Sequence, residues 1–308
     1  MTEQRYHDPH RLPSARVVVG VDGSQGSETA LRWAADFAAK RERELQIVHG
    51  MDLVGMGGAL GSYEVVVPSV VDSVRAHGKA VVARAERVAR ETEPGLRVST
   101  LVTTDSAKQL LIDHSAEAYA VVVGATGSAN TFAHLGSTLL ALTAHAHGTL
   151  VVVRTDPEAD HSIHSSGPVV VGIDGSPISE TAIAAAFAEA AERCTDLVAV
   201  HVWSDWDSGQ FAGPKDRRLL DAELEQTEQA ILAERLAGWQ EKYPDVRVIR
   251  KIYLAAPAAR LQVWSKSAQL VVVGSRGRGG FVGMLLGSTA NSLVQHASCP
   301  VMVVHPAQ

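Results

Sequence analysis

A glycine-rich stretch, GSRGRGGFVGMLLGST, runs from Gly274 to Thr289 directly after the apolar run LVVV. Glycine lets a backbone approach an anion closely, so that successive amide N–H groups point at the same oxygen. The stretch ends on Gly-Ser-Thr before a helical pattern, and a helix N-terminus favours negative charge. Arg276 and Arg278 add positive charge. These residues suit a phosphate group, and a surface turn with a serine helix cap is the alternative.

Two familiar phosphate-binding motifs are excluded by spacing. GxxxxGK[ST] is absent, and the glycines follow a late strand rather than the first one, which excludes the dinucleotide fingerprint. Asp174 ends the first strand of this half, in VVVGIDGS, and its carboxylate could accept hydrogen bonds from a ribose or an adenine amine. If the strands take the flavodoxin-like order, Asp174 lies one strand away from the glycine stretch. A turn or N-cap for a helix near Ser179 is an equally good interpretation.

The chain contains the same pattern twice. RVVVGVDGSQGSETA begins at Arg16 and PVVVGIDGSPISETA at Pro168, so that Asp22 and Asp174 are 152 positions apart (174 minus 22). His49 and His201 keep this separation. The repeat predicts two homologous domains. We expect an N-terminal tail over 1–13, a first domain over 14–154, a polar linker over 155–167 and a second domain over 168–305.

Short β-branched runs alternate with longer helical patterns in each half, which predicts α/β domains with a mostly parallel, five-stranded sheet flanked by helices. In the second half we expect strands at Val169–Ile173, Val198–Val202, Val246–Tyr253, Leu270–Val273 and Val301–Val304. We expect helices at Ser179–Arg193, Asp216–Lys242, Ala256–Ser267 and Thr289–His296. Ligands bind such sheets beyond the carboxyl ends of the strands, where Asp174, Val202 and Gly274 lie.

Bulk composition excludes several classes of protein. A formal net charge of −6 and a pI near 6.1 argue against a nucleic-acid surface, which needs concentrated lysine and arginine. The apolar runs are too short to span a membrane, and the N-terminus lacks the apolar middle of a signal peptide, so we expect a cytoplasmic protein. Cys194 and Cys299 have no metal or disulfide spacing and are interpreted as reduced thiols.

No set of residues in the sequence predicts efficient catalysis. His145 and His296 occupy matching places at the end of the last helix of each half, where a partly charged imidazole is favoured. His161 and His164 lie in the polar linker and are interpreted as a solvated pair. Glu223, Glu225 and Glu228 are interpreted as a charged solvent face of the long helix.

The spacing G-x2-G-x9-G-[ST] is met by Gly274, Gly277, Gly287 and Ser288. Together with VVVGIDGS in front and CPVMVV at the end, it makes the chain resemble the ATP-binding universal stress proteins, in the tandem form found in bacteria. The resemblance covers both halves and implies flavodoxin/Rossmann-like domains that bind ATP, with Mg²⁺, at the strand ends. It also implies that the edge strands TLVVV and PVMVV pair with another domain, within the chain or in a homodimer.

The resemblance also implies which residues touch the nucleotide. Asp174 and the backbone at Val202 would lie near the adenosine, and Val273 and Gly274 beside the ribose. The implied phosphate contacts are Gly277, Gly287, Ser288 and Thr289, with Arg276, Arg278 and Gly279 in the same stretch. The matching residues of the first half are Asp22, Gly50, Val123, Gly124, Gly127, Gly136, Ser137 and Thr138.

The first half departs from this motif. Its stretch GATGSANTFAHLGST has eight residues instead of nine between Gly127 and Gly136, and Thr126 replaces Arg276. Arg278, Gly279 and Gly280 have no counterpart there. We therefore expect the second domain to bind ATP and the first to bind it more weakly, differently or not at all. The sequence favours a regulatory ATP-binding stress protein; the alternatives are a slow ATP hydrolase or phosphotransfer enzyme, and a structural dimer module with relic sites.

Overall fold

The computed structural model describes residues 8–53, 68–126, 136–202, 214–277 and 286–306. The chain divides into two compact units, the first ending at Arg154 and including His305, the second formed by Thr155–Val304. The elements of the first unit are β1 (Val17–Gly20), α1 (Gln25–Ala39), β2 (Leu45–Gly50), α2 (Pro68–Thr92), β3 (Val98–Thr103), α3 (Ala107–Ser115), β4 (Ala120–Gly124), α4 (Ser137–His145) and β5 (Thr149–Val153).

The second unit repeats this order of elements. They are β6 (Val169–Ile173), α5 (Pro177–Glu192), β7 (Leu197–Val202), α6 (Pro214–Lys242), β8 (Val248–Tyr253), α7 (Pro257–Ser265), β9 (Leu270–Gly274), α8 (Ser288–His296) and β10 (Val301–Val304). Each strand and helix expected in the second half is found, with ends that move by no more than two residues. The predicted α/β fold class is confirmed.

The strands of each unit pair in parallel. The order is β3-β2-β1-β4-β5 in the first unit and β8-β7-β6-β9-β10 in the second. This is the Rossmann order 3-2-1-4-5-6 without its sixth strand, so the flavodoxin-like order 2-1-3-4-5 is not the one found. As a result β6 and β9 are direct neighbours, with Val171 opposite Val272. The residues that follow these two strands therefore meet without a strand between them.

Crossover handedness explains why both faces of each sheet are covered. In the second unit the chain runs outward from β6 to β7 and β8, then returns to the other side of β6 for β9 and β10. Right-handed crossovers therefore place α5 and α6 on one face and α7 and α8 on the other, which agrees with the contacts of α5 and α7 with both β6 and β9. Valines such as Val169, Val170 and Val271 are fully buried between these layers. Among the described residues, no helix has the length and apolar character needed to cross a membrane.

The segment over 155–167, expected to be a polar linker, is held in place by side-chain hydrogen bonds. Asp156 Oδ2 lies 2.9 Å from His164 Nε2, and the other ring nitrogen of His164 lies 3.0 Å from the carbonyl oxygen of Ala268. Asp156 Oδ1 accepts a hydrogen bond from the backbone N–H of Glu158 at 2.9 Å. His161 is exposed, whereas His164 is held by these contacts. The interpretation of the two histidines as a solvated pair is therefore wrong for His164.

Replacing Asp156 with alanine is expected to destabilise the protein. The backbone N–H of Glu158, followed by His164 and Lys266, lowers the pKa of Asp156, although burial opposes this effect. A lowered pKa in the folded state means that the ionised carboxylate stabilises the fold above the ordinary aspartate pKa and that this contribution disappears on acidification. We expect a loss on the order of 1 to 3 kcal/mol at pH 7, measured by thermal or urea unfolding.

The exposed turn residue Asp245 supplies the control, since Asp245→Ala removes a carboxylate from the same unit. The difference between D156A and the parent chain should shrink as the pH falls below about 4. Equal stability of D156A and D245A at pH 7 would show that the contacts of Asp156 contribute nothing.

Candidate functional site

Asp174 is the first residue after β6, and its two carboxylate oxygens have different surroundings. Oδ1 accepts hydrogen bonds from the backbone N–H of Ser176 at 2.9 Å and from its hydroxyl at 2.7 Å. Gly175 has a φ of +79°, which lets the chain turn sharply into α5. Oδ2 faces Gly277, so closely that a Cβ atom at position 277 would collide with it. The same side chain thus forms the turn after β6 and packs against the glycine stretch after β9.

The glycine stretch folds back against itself beside Asp174. The backbone N–H of Gly287 donates to the carbonyl oxygen of Ser275 at 2.8 Å, and Gly287 is the N-cap residue of α8. A Cβ atom on Gly287 would lie 3.5 Å from Arg276 Cα and 3.7 Å from Gly277 N. The N-terminus of α8 is therefore packed onto the residues that follow β9.

The remaining predicted residues of the second unit lie around this junction. Gly274 approaches α5, since a Cβ atom there would lie 2.9 Å from Ile178 Cγ2. Val273 is buried, Val202 and Thr289 are half-buried, and Arg276 and Ser288 are exposed. Arg278, Gly279 and Gly280 lie outside the described residues. The structure thus brings Asp174, Gly274, Gly277 and Gly287 to one end of the sheet.

Two buried hydroxyls near this junction were not predicted from the sequence. Ser275 is 1% exposed and Ser179 is 2% exposed. Neither Oγ atom has a hydrogen-bond partner among the described residues. Buried polar groups are nearly always hydrogen-bonded, so these two hydroxyls, in the segments that flank the junction, are exceptions among the described residues.

The first unit repeats the turn after its first strand. Asp22 Oδ1 accepts hydrogen bonds from the backbone N–H of Ser24 at 3.0 Å and from its hydroxyl at 2.5 Å. The hydroxyl of Ser27, the counterpart of Ser179, donates to the carbonyl oxygen of Ser24 at 2.9 Å. The hydroxyl that lacks a partner in the second unit is therefore satisfied within the first.

The end of β4 is packed differently from the end of β9. A Cβ atom on Gly124 would lie 2.5 Å from the carbonyl oxygen of Gly26, and a Cβ atom on Gly26 would collide with the carbonyl oxygen of Thr126. The second unit has the bulkier Ile178 at the position of Gly26. In the first unit the chain after β4 therefore lies directly on the backbone of α1.

The N-terminus of α4 also lacks the contacts found at α8. A Cβ atom on Gly136 would have no atom of the described residues within 4 Å, and no hydrogen bond joins Gly136 N to Ala125 O. Val123 is buried, Thr138 is half-buried and Ser137 is exposed. At Gly50 a Cβ atom would lie 2.6 Å from the backbone nitrogen of Ala107. Gly127 lies outside the described residues.

A comparison with protein-family models matches both halves of the chain. The universal stress protein family model matches residues 14–154 and 166–305. The chain belongs to the universal stress protein family. Because two copies of the family model match, the protein is a tandem member of that family.

Relatives of similar length share most of this tandem sequence. A universal stress protein of Mycolicibacterium smegmatis is 43% identical over 294 residues, which cover 94% of this chain and 97% of the relative. A universal stress protein of Mycobacterium tuberculosis is 38% identical over 294 residues, with coverage of 94% and 96%. Among solved structures, a universal stress protein of Archaeoglobus fulgidus shares the fold with a TM-score of 0.67 at 19% identity, covering 96% of this chain and 99% of that one.

In this universal stress protein, a buried histidine and a glutamate form a contact that the sequence did not predict. His201 Nε2 lies 3.0 Å from Glu228 Oε2 of α6. The interpretation of Glu228 as part of a solvent face is therefore wrong, since its side chain is 23% exposed and pairs with a residue of the sheet. The sequence offered no signal for this contact, because it depends on how α6 packs against the sheet and not on a local spacing.

Proposed function

We propose that the second unit binds ATP and that the protein is a regulator in the stress response, acting through nucleotide-linked conformation or partner choice. The observation that carries this proposal is the meeting of Asp174, Gly277 and the Gly287 end of α8 beyond two neighbouring strands. Ligands of open α/β sheets bind at this place. Glycine at positions 277 and 287 lets Asp174, the chain after β9 and the start of α8 pack closely together. The first N–H groups of α8 have no partner within the helix and suit a phosphate.

The residues present fit an adenine nucleotide. The exposed Arg276 and the N-terminus of α8 supply positive charge for phosphate oxygens, and Ser288 and Thr289 add hydroxyls. Asp174 presents a carboxylate oxygen for a ribose hydroxyl or an adenine amine. The unpartnered hydroxyls of Ser275 and Ser179 are consistent with a ligand or its water at this end of the sheet.

Magnesium belongs to this proposal as an ion carried by the phosphates. In the part of the chain that the structure describes, no group of three or more His, Cys, Asp or Glu side chains is arranged to hold a metal ion. Mg²⁺ commonly keeps several waters and is bound through substrate phosphates, with one or two protein ligands. When bound, it would neutralise phosphate charge, and the hydroxyls of Ser288 and Thr289 are candidates to hold it.

We propose that the first unit binds ATP more weakly than the second. The chain after β4 lies on the backbone of α1, and a Cβ atom on Gly136 would have no atom of the described residues within 4 Å. Thr126 replaces the charged Arg276. Both differences remove favourable contacts for phosphate.

Identification of the nucleotide in the purified protein tests the proposed function. We expect denaturation of the full-length chain to release an adenine nucleotide, identified by mass spectrometry, and we expect added ATP with Mg²⁺ to raise the melting temperature. Protein without nucleotide that shows no thermal shift with ATP would refute the proposal and favour a structural module. Phosphate release well above that of a Gly277→Val variant would favour an ATP hydrolase instead.

A further inference from the structure

His201 occupies an unusual position at the end of β7, where both of its ring nitrogens face oxygen atoms. Nδ1 lies 2.7 Å from the carbonyl oxygen of Ile173, and Nε2 lies 3.0 Å from Glu228 Oε2. The residue is 4% exposed. A backbone carbonyl and a carboxylate are both acceptors, and a neutral imidazole carries only one N–H. Only the protonated ring can donate to both oxygens at once.

The contact with Ile173 connects His201 to the proposed nucleotide site. Ile173 is the last residue of β6 and directly precedes Asp174. His201 Nδ1–H therefore fixes the peptide from which Asp174 and the turn at Gly175 begin. Glu228, from α6, fixes the orientation of the ring. His201 and Glu228 thus act on Asp174 through the backbone and not by direct contact.

Among the described residues, other groups approach the pair from one cavity and from strand β8. A cavity of about 180 Å³ adjoins it, lined in part by Gly175, Ile231 and Leu232. Arg235 of α6 also reaches this cavity, and its guanidinium pairs with Glu180 of α5 at 3.1 Å. On the β8 side, the ladder places the apolar Ile252 opposite His201, with Lys251 and Tyr253 on either side of it along β8. Glu228 is therefore the carboxylate that compensates a protonated His201.

The first unit provides a natural comparison. His49 Nδ1 lies 2.7 Å from the carbonyl oxygen of Val21, which reproduces the contact made by His201. The α2 residue against this ring is Gly78, where a Cβ atom would lie 3.0 Å from His49 Cδ2 and 3.3 Å from Met51. A neutral ring with its proton on Nδ1 satisfies this arrangement, so nothing at Gly78 requires His49 to be charged.

We propose that His201 and Glu228 form a proton-dependent positioning pair that makes nucleotide binding by the second unit stronger at acidic than at alkaline pH. The inference rests on the proposed function, since it concerns the placement of Asp174. When His201 loses its proton, one of the two contacts must open. Either the carbonyl of Ile173 loses its donor, or a ring lone pair faces the carboxylate of Glu228 and α6 withdraws.

Glu228→Gln separates the proton dependence from the positioning. A glutamine amide accepts from a ring N–H or donates to a ring lone pair, so it keeps the contact in either charge state of His201. Glu234→Gln, an exposed change on the same helix, is the control. The affinity of the full-length chain for ATP with Mg²⁺ is measured by calorimetry at pH 6 and pH 8. The titration of ATP itself affects all three proteins equally and cancels in the comparison.

When the pH is raised from 6 to 8, we expect the ATP affinity of the parent chain and of E234Q to fall. Their loss should be about fivefold larger than that of E228Q, which is within the usual range of coupling between sites. An equal pH dependence of the parent and E228Q would overturn the inference while leaving the proposed function intact. Absence of ATP binding at both pH values would overturn the proposed function and this inference with it.

A second measurement needs no variant. Because linkage is reciprocal, ATP should increase the fraction of His201 that carries protons on both ring nitrogens. Nitrogen chemical shifts of the His201 ring, recorded by NMR at pH 7 with and without ATP, report this fraction directly. An unchanged fraction on saturation with ATP would contradict the inference.

Discussion

Replacing Gly277 with valine is expected to weaken ATP binding by the second unit by about a hundredfold or more. A Cβ atom at this position collides with Asp174 Oδ2, so a valine side chain must displace that carboxylate from its place beside the glycine stretch. Gly277 is not among the residues with positive φ, so the effect comes from occupied space and not from backbone strain. The expected loss corresponds to about two charge-assisted contacts with the nucleotide, each worth about 1.5 to 3 kcal/mol. A loss of about 1.4 kcal/mol lowers the affinity tenfold.

Gly238→Val is the matched control for this prediction. Gly238 lies on the exposed side of α6, and a Cβ atom there meets no atom within 4 Å. Calorimetric titration with ATP and Mg²⁺ should therefore give the parent affinity for G238V. If G277V bound ATP as tightly as G238V, the phosphates could not lie where we propose.

Asp174→Ala is expected to weaken the tighter ATP site by about tenfold or more, whereas Asp22→Ala should leave that site within about threefold of the parent. The two substitutions remove equivalent local contacts, because each aspartate accepts from the N–H and the hydroxyl of a serine two residues later. They differ in the unit they belong to: Asp174 Oδ2 lies against Gly277, whereas the counterpart of that glycine, Gly127, lies outside the described residues. Any general effect of losing the turn is therefore the same in both variants.

The comparison is made in the full-length chain, with the tighter and weaker sites resolved by titration over a wide range of ATP concentration. Thermal unfolding of both variants checks that they lose similar stability. A larger loss of the tighter site in D22A than in D174A would reverse the proposed ranking of the two units.

Much of the fold follows from local sequence, and its deviations have local causes. The valine-rich runs predict buried parallel strands, and their positions in the second unit agree with the sheet to within two residues. The strand expected from Val246 begins at Val248, because the N–H of Val246 closes a turn onto Tyr243 O at 3.1 Å. The helix expected from Ala256 begins at Pro257, since Ala256 has a φ of +63° and proline suits a first helical position.

The candidate site is less predictable than the fold. Glycine spacing points to Gly277 and Gly287, and the repeat points to Asp174. The direct adjacency of β6 and β9 depends on strand order, which local patterns do not determine. The pairing of His201 with Glu228 depends on how α6 packs against the sheet. The effect of Gly26 or Ile178 depends on the contact of the first helix of each unit with the end of a strand far along the chain. Differences of this kind between the two units are seen in their three-dimensional contacts and not in the sequence pattern that they share.

The serine after β9 illustrates a trade-off between stability and recognition. Ser275 carries a buried hydroxyl without a partner among the described residues, whereas Ala125 stands at the matching position of the first unit. A buried, unsatisfied hydroxyl costs about 1 to 3 kcal/mol. The ligand-free second unit is therefore locally frustrated at a point where the first unit is not. Under the proposed function, bound nucleotide or its water would give this hydroxyl a partner, so that a residue that costs stability in the free protein would contribute to binding.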